Sequence, residues 1–234
     1  MGFFYFDYTY FWFMVPALIV TMIAQFRVKS AFSKYSRVGT VRNVTGAQAA
    51  DAVARGGGAC GVAIRPVAGQ LTDNFDPRNN TISLSQDVYA STSVAAVGVA
   101  AHEAGHAVQH ATGYFPNKVR AALVPVTNIG SRLSVPLIFI GLILPAQYDA
   151  VVYAGIALYG LVVLFQLATL PVELNASRRA LRALRETGIL YPEEMEGARS
   201  VLTAAAMTYL AASFTAILTL LRFLTLAGSR RGRD

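Results

Sequence analysis

The stretch VAAVGVAAHEAGHAVQH, residues 94–110, determines most of what can be predicted about this chain. Its small and apolar side chains surround two histidines, and it predicts one continuous helix from about Ser93 to Ala111. The i, i+4 spacing places His102 and His106 on the same helical face, one turn apart. Two imidazoles so arranged can bind one tetrahedral zinc ion, and Glu103 is then placed to take a proton from the metal-bound water. The stretch therefore predicts a zinc-dependent hydrolase with Glu103 as the general base.

The chain has three histidines and one cysteine, so few further metal ligands are available. Three ligands at i, i+4 and i+8 would span about 12 Å of helix, which is too far for one metal ion. The metzincin pattern would also need glycine and histidine where Gln109 and Thr112 stand. His110 is therefore interpreted as a histidine that faces the helix dipole at the C-terminal end. Cys60 is interpreted as a small residue in a glycine-rich turn, and one cysteine excludes an internal disulfide.

The composition indicates a membrane protein. The chain is 54% hydrophobic and 14% charged, whereas soluble domains carry about 25% charged residues. Four apolar stretches are long enough to cross a bilayer as helices, at about residues 4–26, 123–144, 151–172 and 201–227. The first is predicted to be an uncleaved anchor, because no Lys or Arg precedes Arg27 and bulky aromatic side chains do not suit a signal peptide. The second and third form a transmembrane hairpin.

The orientation follows from the distribution of Lys and Arg. Residues 27–120 contain ten and residues 173–200 contain five, while the N-terminus and the hairpin turn contain none. The positive-inside rule therefore predicts that both polar segments lie in the cytoplasm and that the N-terminus lies outside. The basic tail (Arg230, Arg231 and Arg233) conflicts with four full crossings, so the fourth stretch either spans the membrane, or is re-entrant, or lies in the interface. The net charge of +7 is attributed to this topology and not to nucleic-acid binding.

Residues 27–121 are predicted to form a small α+β unit. Thr45 and Gln48 fit a capping box that opens a helix over about 46–55, and Gly56–Gly58 end it. Strands are predicted at Val62–Val67 and Thr81–Leu84, with a turn over 76–80 between them. The glycines do not form a phosphate-binding loop, because no Gly-Lys-Ser/Thr follows them.

A catalytic zinc ion needs a third protein ligand, and Glu173 is the predicted one. It follows the third apolar stretch, where the hairpin returns the chain to the side of the helix that carries the histidines. A carboxylate at the membrane rim is costly unless it is paired or bound to metal. The alternative is that Glu173 pairs with Arg132 or Arg178. The other downstream acids lie in the hairpin turn or in a polar, solvated stretch; they are Asp149, Glu186, Glu193, Glu194 and Glu196.

Three polar residues that follow Glu173 are candidates for orienting the ligands or stabilising an oxyanion; they are Asn175, Ser177 and Arg178. The predicted fold class is mainly α and integral to the membrane, with about four transmembrane helices and a small cytoplasmic α+β, zincin-like metalloprotease domain. The predicted organisation has five segments: an anchor at 1–26, the zincin-like domain at 27–121, the hairpin at 122–172, the segment with the third ligand at 173–200, and a helix with the basic tail at 201–234.

Three stretches resemble the YugP-type neutral zinc metallopeptidases of bacteria: GQLTDNFDPRNNTISLS (69–85), VAAVGVAAHEAGHAVQH (94–110) and LPVELNASRRA (170–180). With the membrane pattern, the resemblance covers nearly the whole chain. It implies a zinc ion in each chain, Glu173 as third ligand, and peptidase activity. The layout is also similar to the membrane proteases that cut prenylated proteins and to heat-shock membrane proteases. In zincins a strand near the HExxH helix pairs with extended substrate, and the candidate is Thr81, Ile82, Ser83 and Leu84.

The function expected from these observations is that of a zinc metalloendopeptidase in the inner membrane of a bacterium, multi-pass, with its site facing the cytoplasm. Its expected partners are peptide or membrane-protein substrates and the lipid bilayer. One alternative is a membrane scaffold or quality-control adaptor with a structural zinc site, which would not need Glu103. Another is a channel or transporter with Asn128 and Arg132 in its pore, against which the lack of an internal repeat argues.

Overall fold

Seven α-helices and three short β-strands form residues 8–231, the part of the chain that the computed structural model describes. In chain order they are α1 (Tyr8–Tyr35), α2 (Gly46–Gly56), β1 (Ala63–Val67), β2 (Asn74–Asp76), β3 (Thr81–Ser85), α3 (Gln86–Tyr89), α4 (Val94–Ala111), α5 (Phe115–Ile143), α6 (Asp149–Glu186) and α7 (Pro192–Arg231). A short 3₁₀ turn, Ala146–Tyr148, separates α5 from α6. The part of the predicted anchor that precedes Tyr8 lies outside the described residues, as does Arg233 of the basic tail.

The four long helices α1, α5, α6 and α7 are each long and apolar enough to cross a membrane. This confirms the mainly helical class and the four candidate spans. The helices extend beyond the apolar stretches, however, and α6 continues to Glu186 instead of ending near Val172. It continues because Ala176, Ala180 and Leu184 keep a fully buried stripe at helical spacing after the sequence becomes polar. Hydropathy marks where the chain stops being apolar, which is not where the helix ends.

Two compact units are present, and the boundaries between them fall inside α1, α6 and α7 and near the start of α5. Within residues 8–231, one unit comprises the chain up to residue 23, residues 119–169 and the chain from residue 209 onward, and it contains the most apolar parts of the long helices. Here α5 and α6 pack through glycine, since a Cβ on Gly155 would lie 2.9 Å from the carbonyl oxygen of Ser134 and the same distance from the amide nitrogen of Ile138. Such close backbone packing is typical of membrane helices.

The other unit comprises residues 24–118 and 170–208. Its core is built from α2, β3, α4 and the adjoining turns of α6 and α7, and residues such as Ala49, Leu84, Val97 and Ala198 are fully buried there. The predicted capping box opens α2, since Thr45 Oγ1 accepts from the amide of Gln48 and Gln48 Oε1 accepts from the amide of Thr45. The predicted boundaries of α2 and α4 are correct to within one residue.

The sheet has the strand order β1-β3-β2, with β3 parallel to β1 and antiparallel to β2. The strand β2 was not predicted, because Asp76 and the residues after it have the composition of a turn. The prediction that 81–84 binds substrate as an edge strand is wrong. Thr81, Ile82 and Ser83 are paired on both sides, and Asp73 accepts from the amide of Ser85 just beyond. A substrate can add only to a free edge.

One acid of the polar stretch after α6 is buried, contrary to the prediction that all of them are solvated. Glu194 is 8% exposed, and its carboxylate accepts hydrogen bonds from the amide of Tyr191 at 2.7 Å and from that of Val41 at 2.6 Å. The first bond satisfies an amide at the beginning of α7, as in a capping box. The second fixes the loop that follows α1, so Glu194 joins two segments that are far apart in the sequence.

Candidate metal centre

The helix α4 presents His102 and His106 side by side. Ser93 caps its N-terminus by accepting from the amide of Ala96, and the helix runs unbroken through both histidines. The two ring centroids are 4.8 Å apart and the planes are nearly perpendicular. Both side chains are mostly buried, with 12% and 13% exposed. This is the arrangement that the i, i+4 spacing predicts.

The helix α6 brings Glu173 to the same point. Its Oε2 lies 3.3 Å from Nε2 of His102 and 3.5 Å from Nε2 of His106, and the ligand atoms of the three residues all lie within 4.8 Å of one another. Around a tetrahedral zinc ion with bonds of about 2.0–2.1 Å, neighbouring ligand atoms are about 3.4 Å apart. The donor set and its spacing therefore fit zinc. His110 is outside this group, since it is exposed and its ring lies beside Phe75.

Gly105 allows the two helices to approach closely at this point. A Cβ placed on it would lie 2.5 Å from the carbonyl oxygen of Ala176, so the backbone of α6 rests directly on α4. Ala176 is three residues after Glu173, which means that this contact sets how near the carboxylate comes to the histidines. The glycine inside HEAGH therefore has a structural role that the motif pattern alone does not specify.

We expect Gly105→Ala to push α6 away from α4 and to weaken zinc binding. Overpacking of this kind costs about 1–3 kcal/mol of stability, although alanine favours a helix more than glycine does. The matched control is Gly98→Ala on the same helix, where the new Cβ would make an ordinary contact of 3.6 Å with Ala198. Thermal unfolding and zinc titration of both variants measure the difference. Equal behaviour of the two variants would contradict the prediction.

Each histidine uses its other ring nitrogen for a hydrogen bond that orients the ring. Nδ1 of His102 lies 3.1 Å from Oγ of Ser177, and Nδ1 of His106 lies 3.1 Å from Oε1 of Gln109. The amide oxygen of Gln109 can only accept, so it keeps the proton of His106 on Nδ1 and leaves the Nε2 lone pair for a metal ion. The hydroxyl of Ser177 can accept from Nδ1 of His102 in the same way. Of the three predicted orienting residues, Ser177 contacts a histidine directly, Asn175 acts through Gln109, and Arg178 is exposed.

Gln109 is the functional candidate that the sequence interpretation missed. It is fully buried, and its Nε2 donates to the carbonyl oxygen of Val172 at 2.8 Å and to Oδ1 of Asn175 at 3.0 Å. Arg179 Nε also donates to that Oδ1, at 2.8 Å, which fixes the Asn175 amide because arginine can only donate. The Gln109 amide can then face only one way, with Oε1 toward His106. A polar residue on an apolar helix, three positions after a histidine, was the available signal.

Two carboxylates, those of Glu103 and Glu173, act electrostatically on His106. Burial lowers the pKa of His106, but hydrogen bonding to Glu173 and the charges of Glu103 and Glu173 outweigh this and raise the pKa above its usual value. Glu103 itself is half-buried. Within residues 8–231 its carboxylate takes no hydrogen bond, so it is available to accept a proton. An environment that favours a cation on the imidazoles also favours a divalent metal ion between them.

Two comparisons with known proteins give the family of the chain. The sequence profile of a family described as "Putative neutral zinc metallopeptidase" matches residues 10–228. The chain therefore belongs to this family of zinc metallopeptidases. A curated relative, described as "Putative membrane protease YugP" of Bacillus subtilis (strain 168), is 40% identical over 220 residues, which cover 94% of this chain and 96% of the relative. No solved structure matches the chain.

We expect Gln109→Met to weaken zinc binding by about 10- to 100-fold, the usual effect of removing an outer partner of a metal ligand. Methionine has similar length but neither accepts from His106 nor donates to Val172 and Asn175. Zinc affinity is measured by competition with a chromogenic chelator. His110→Gln, one position further and exposed, is the control and should leave the affinity unchanged. An unchanged affinity in a folded Gln109→Met protein would show that the hydrogen bond to His106 is dispensable.

Proposed function

We propose that this chain is a membrane-bound zinc metalloendopeptidase that hydrolyses peptide bonds of membrane proteins or membrane-proximal segments. The observation that carries the proposal is the convergence of His102 and His106 on α4 with Glu173 on α6, with Glu103 adjacent to the first histidine. The family and the relative's description as a membrane protease support the same reading.

In the proposed mechanism His102, His106 and Glu173 would hold one zinc ion. When bound there, the ion would supply a water made acidic enough to act at neutral pH, and it would polarise the scissile carbonyl. The carboxylate of Glu103 would accept a proton from the attacking water. Glu103 then passes the proton to the amide nitrogen as the C–N bond breaks, which releases an amine and a carboxylate. Ser177 and Gln109 keep the imidazoles oriented throughout.

The extended substrate, in this proposal, adds to β2 and not to β3. The strand β2 (Asn74–Asp76) pairs only with β3 and leaves its other edge free among the described residues. Phe75 of β2 lies against His110, one turn beyond His106 on α4. Main-chain pairing along this edge would hold a peptide extended, as in other cases of strand addition.

We further propose that the chain is a multi-pass protein of the bacterial inner membrane, with a zincin-like domain and its site on the cytoplasmic side. The four apolar helices and the fifteen Lys and Arg residues within 27–120 and 173–200 support this orientation under the positive-inside rule. A site beside the bilayer would select membrane proteins or their exposed ends as substrates.

The test is metal content and cleavage on the full chain, purified in detergent. We expect about one zinc ion per chain and cleavage of a membrane-protein or casein substrate. Treatment with a zinc chelator should abolish cleavage, and added zinc should restore it. Zinc without cleavage of any substrate would favour the alternative of a scaffold with a structural zinc site. A chain that binds no zinc would refute the proposal.

A further inference from the structure

A groove of about 500 Å³ lies between α1 and α7, in the unit that contains residues 24–118 and 170–208. The α1 side is formed by positions 27, 30, 31 and 34, which share one helical face. The α7 side is formed by positions 196, 199, 200, 203, 204 and 207, which also follow one face. Small side chains such as Ala31 and Ala204 form much of its lining, which leaves room for an elongated ligand.

Three cations border the groove. They are Arg27 and Lys34, which lie on the same face of α1 about two turns apart, and Arg199 on α7. All three are exposed, and no carboxylate within residues 8–231 lies at ion-pair distance from any of them. The lining contains one acid, Glu196. With three positive groups and one negative group, the groove suits an anionic ligand.

The groove is also apolar at one end. Phe26, which is 74% exposed, and Met207 line that end, and Arg27 reaches the sulfur of Met207 at 3.6 Å. In the sequence, the apolar part of α1 ends at Phe26 and the apolar part of α7 begins at Val201. The groove therefore lies where both helices change from apolar to polar, which is the level of lipid headgroups for a helix that crosses a bilayer.

We propose that this groove binds the headgroup of an anionic phospholipid. The guanidinium groups of Arg27 and Arg199 suit a phosphate, which they can bind in a bidentate manner, and Lys34 adds a third charge. The first carbons of an acyl chain would lie against Phe26 and Met207. A soluble phosphate or an acidic peptide would satisfy the cations but would gain nothing from the apolar end. The site is separate from the zinc ligands, so the proposal does not depend on peptidase activity.

The test uses the full chain in detergent and native mass spectrometry with phosphatidylglycerol and phosphatidylcholine of identical acyl chains. We expect wild type to bind phosphatidylglycerol more tightly. The variant Arg27→Gln/Lys34→Gln/Arg199→Gln should lose about fivefold in affinity per charge, as basic groups at an anionic membrane surface do. The matched control is Lys29→Gln/Arg37→Gln/Arg65→Gln, which removes the same charge from exposed positions outside the groove, and it should keep the preference.

A second variant, whose expected effect on phosphatidylglycerol affinity is an increase instead of a loss, covers the case in which the triple variant does not fold. Glu196→Gln removes the acid of the groove and should strengthen phosphatidylglycerol binding. Equal losses in the groove and control variants, or no change in Glu196→Gln, would overturn the proposal. Displacement of the lipid by glycerol 3-phosphate or by an acidic peptide at similar concentration would also overturn it, in favour of a soluble anion or a protein segment.

Discussion

Glu103→Gln is expected to abolish peptide cleavage and to leave the zinc content unchanged. Glutamine has the same shape as glutamate but cannot accept the proton from water, and it cannot return one to the leaving amine. General acid–base catalysis contributes about 10²- to 10⁴-fold to a rate, so the loss in kcat/KM should lie in that range or above. His102 and His106 keep their positions on α4, since Glu103 contributes no hydrogen bond to them among the described residues.

The measurement combines zinc analysis and cleavage kinetics on one preparation of each protein. The control is Glu186→Gln, which removes an exposed carboxylate from the end of α6 and should leave both quantities unchanged. If Glu103→Gln kept more than about a tenth of the wild-type rate, Glu103 would not be the general base. If it lost its zinc, the residue would instead have a role in holding the metal.

Glu173→Gln is expected to remove zinc and activity together. The carboxylate lies within 3.5 Å of both Nε2 atoms, and it is the acidic member of the group that could hold a metal ion. The amide is neutral and a weaker ligand for zinc. The loss of affinity should exceed the roughly 10- to 100-fold typical of outer partners, because Glu173 is proposed to bind the ion directly.

Zinc titration of the purified variant measures this loss, and excess zinc should restore part of the activity if the binding is only weakened. Glu193→Gln, exposed at the first turn of α7, is the matched control. Wild-type zinc affinity in Glu173→Gln would contradict the assignment and would require another third ligand. Together the two glutamate variants separate catalysis from metal binding, because one should lose only the rate and the other should lose the ion.

Several features of the unit that carries the site follow from short stretches of sequence. The capping box at Thr45 and Gln48, the extent of α4 and the shared face of His102 and His106 all depend on residues within two or three helical turns. Local spacing and hydrogen bonding govern such features, so they can be read without knowing the tertiary structure. The four apolar helices are predictable for a similar reason, since length and composition suffice.

The contacts that complete the site depend on residues far apart in the sequence. Gln109 and Asn175 are 66 positions apart, and no periodicity links them. Glu173 was predicted from its position after a hairpin, but its distance from the histidines depends on the close contact at Gly105. The central place of β3 depends on β2, which is three residues long and ends at Asp76, the first residue of the predicted turn. This is why the predicted substrate strand was wrong.

The sequence by itself determined the helix that carries the two histidines, the class of chemistry that their spacing suits and the apolar character of the four long helices, because each depends on local spacing or on composition. The tertiary structure decided which carboxylate approaches the histidines, how Gln109 orients His106 and which strand is paired on both sides. These depend on how α4, α6 and the sheet pack together, and packing is set by contacts between residues that are distant along the chain.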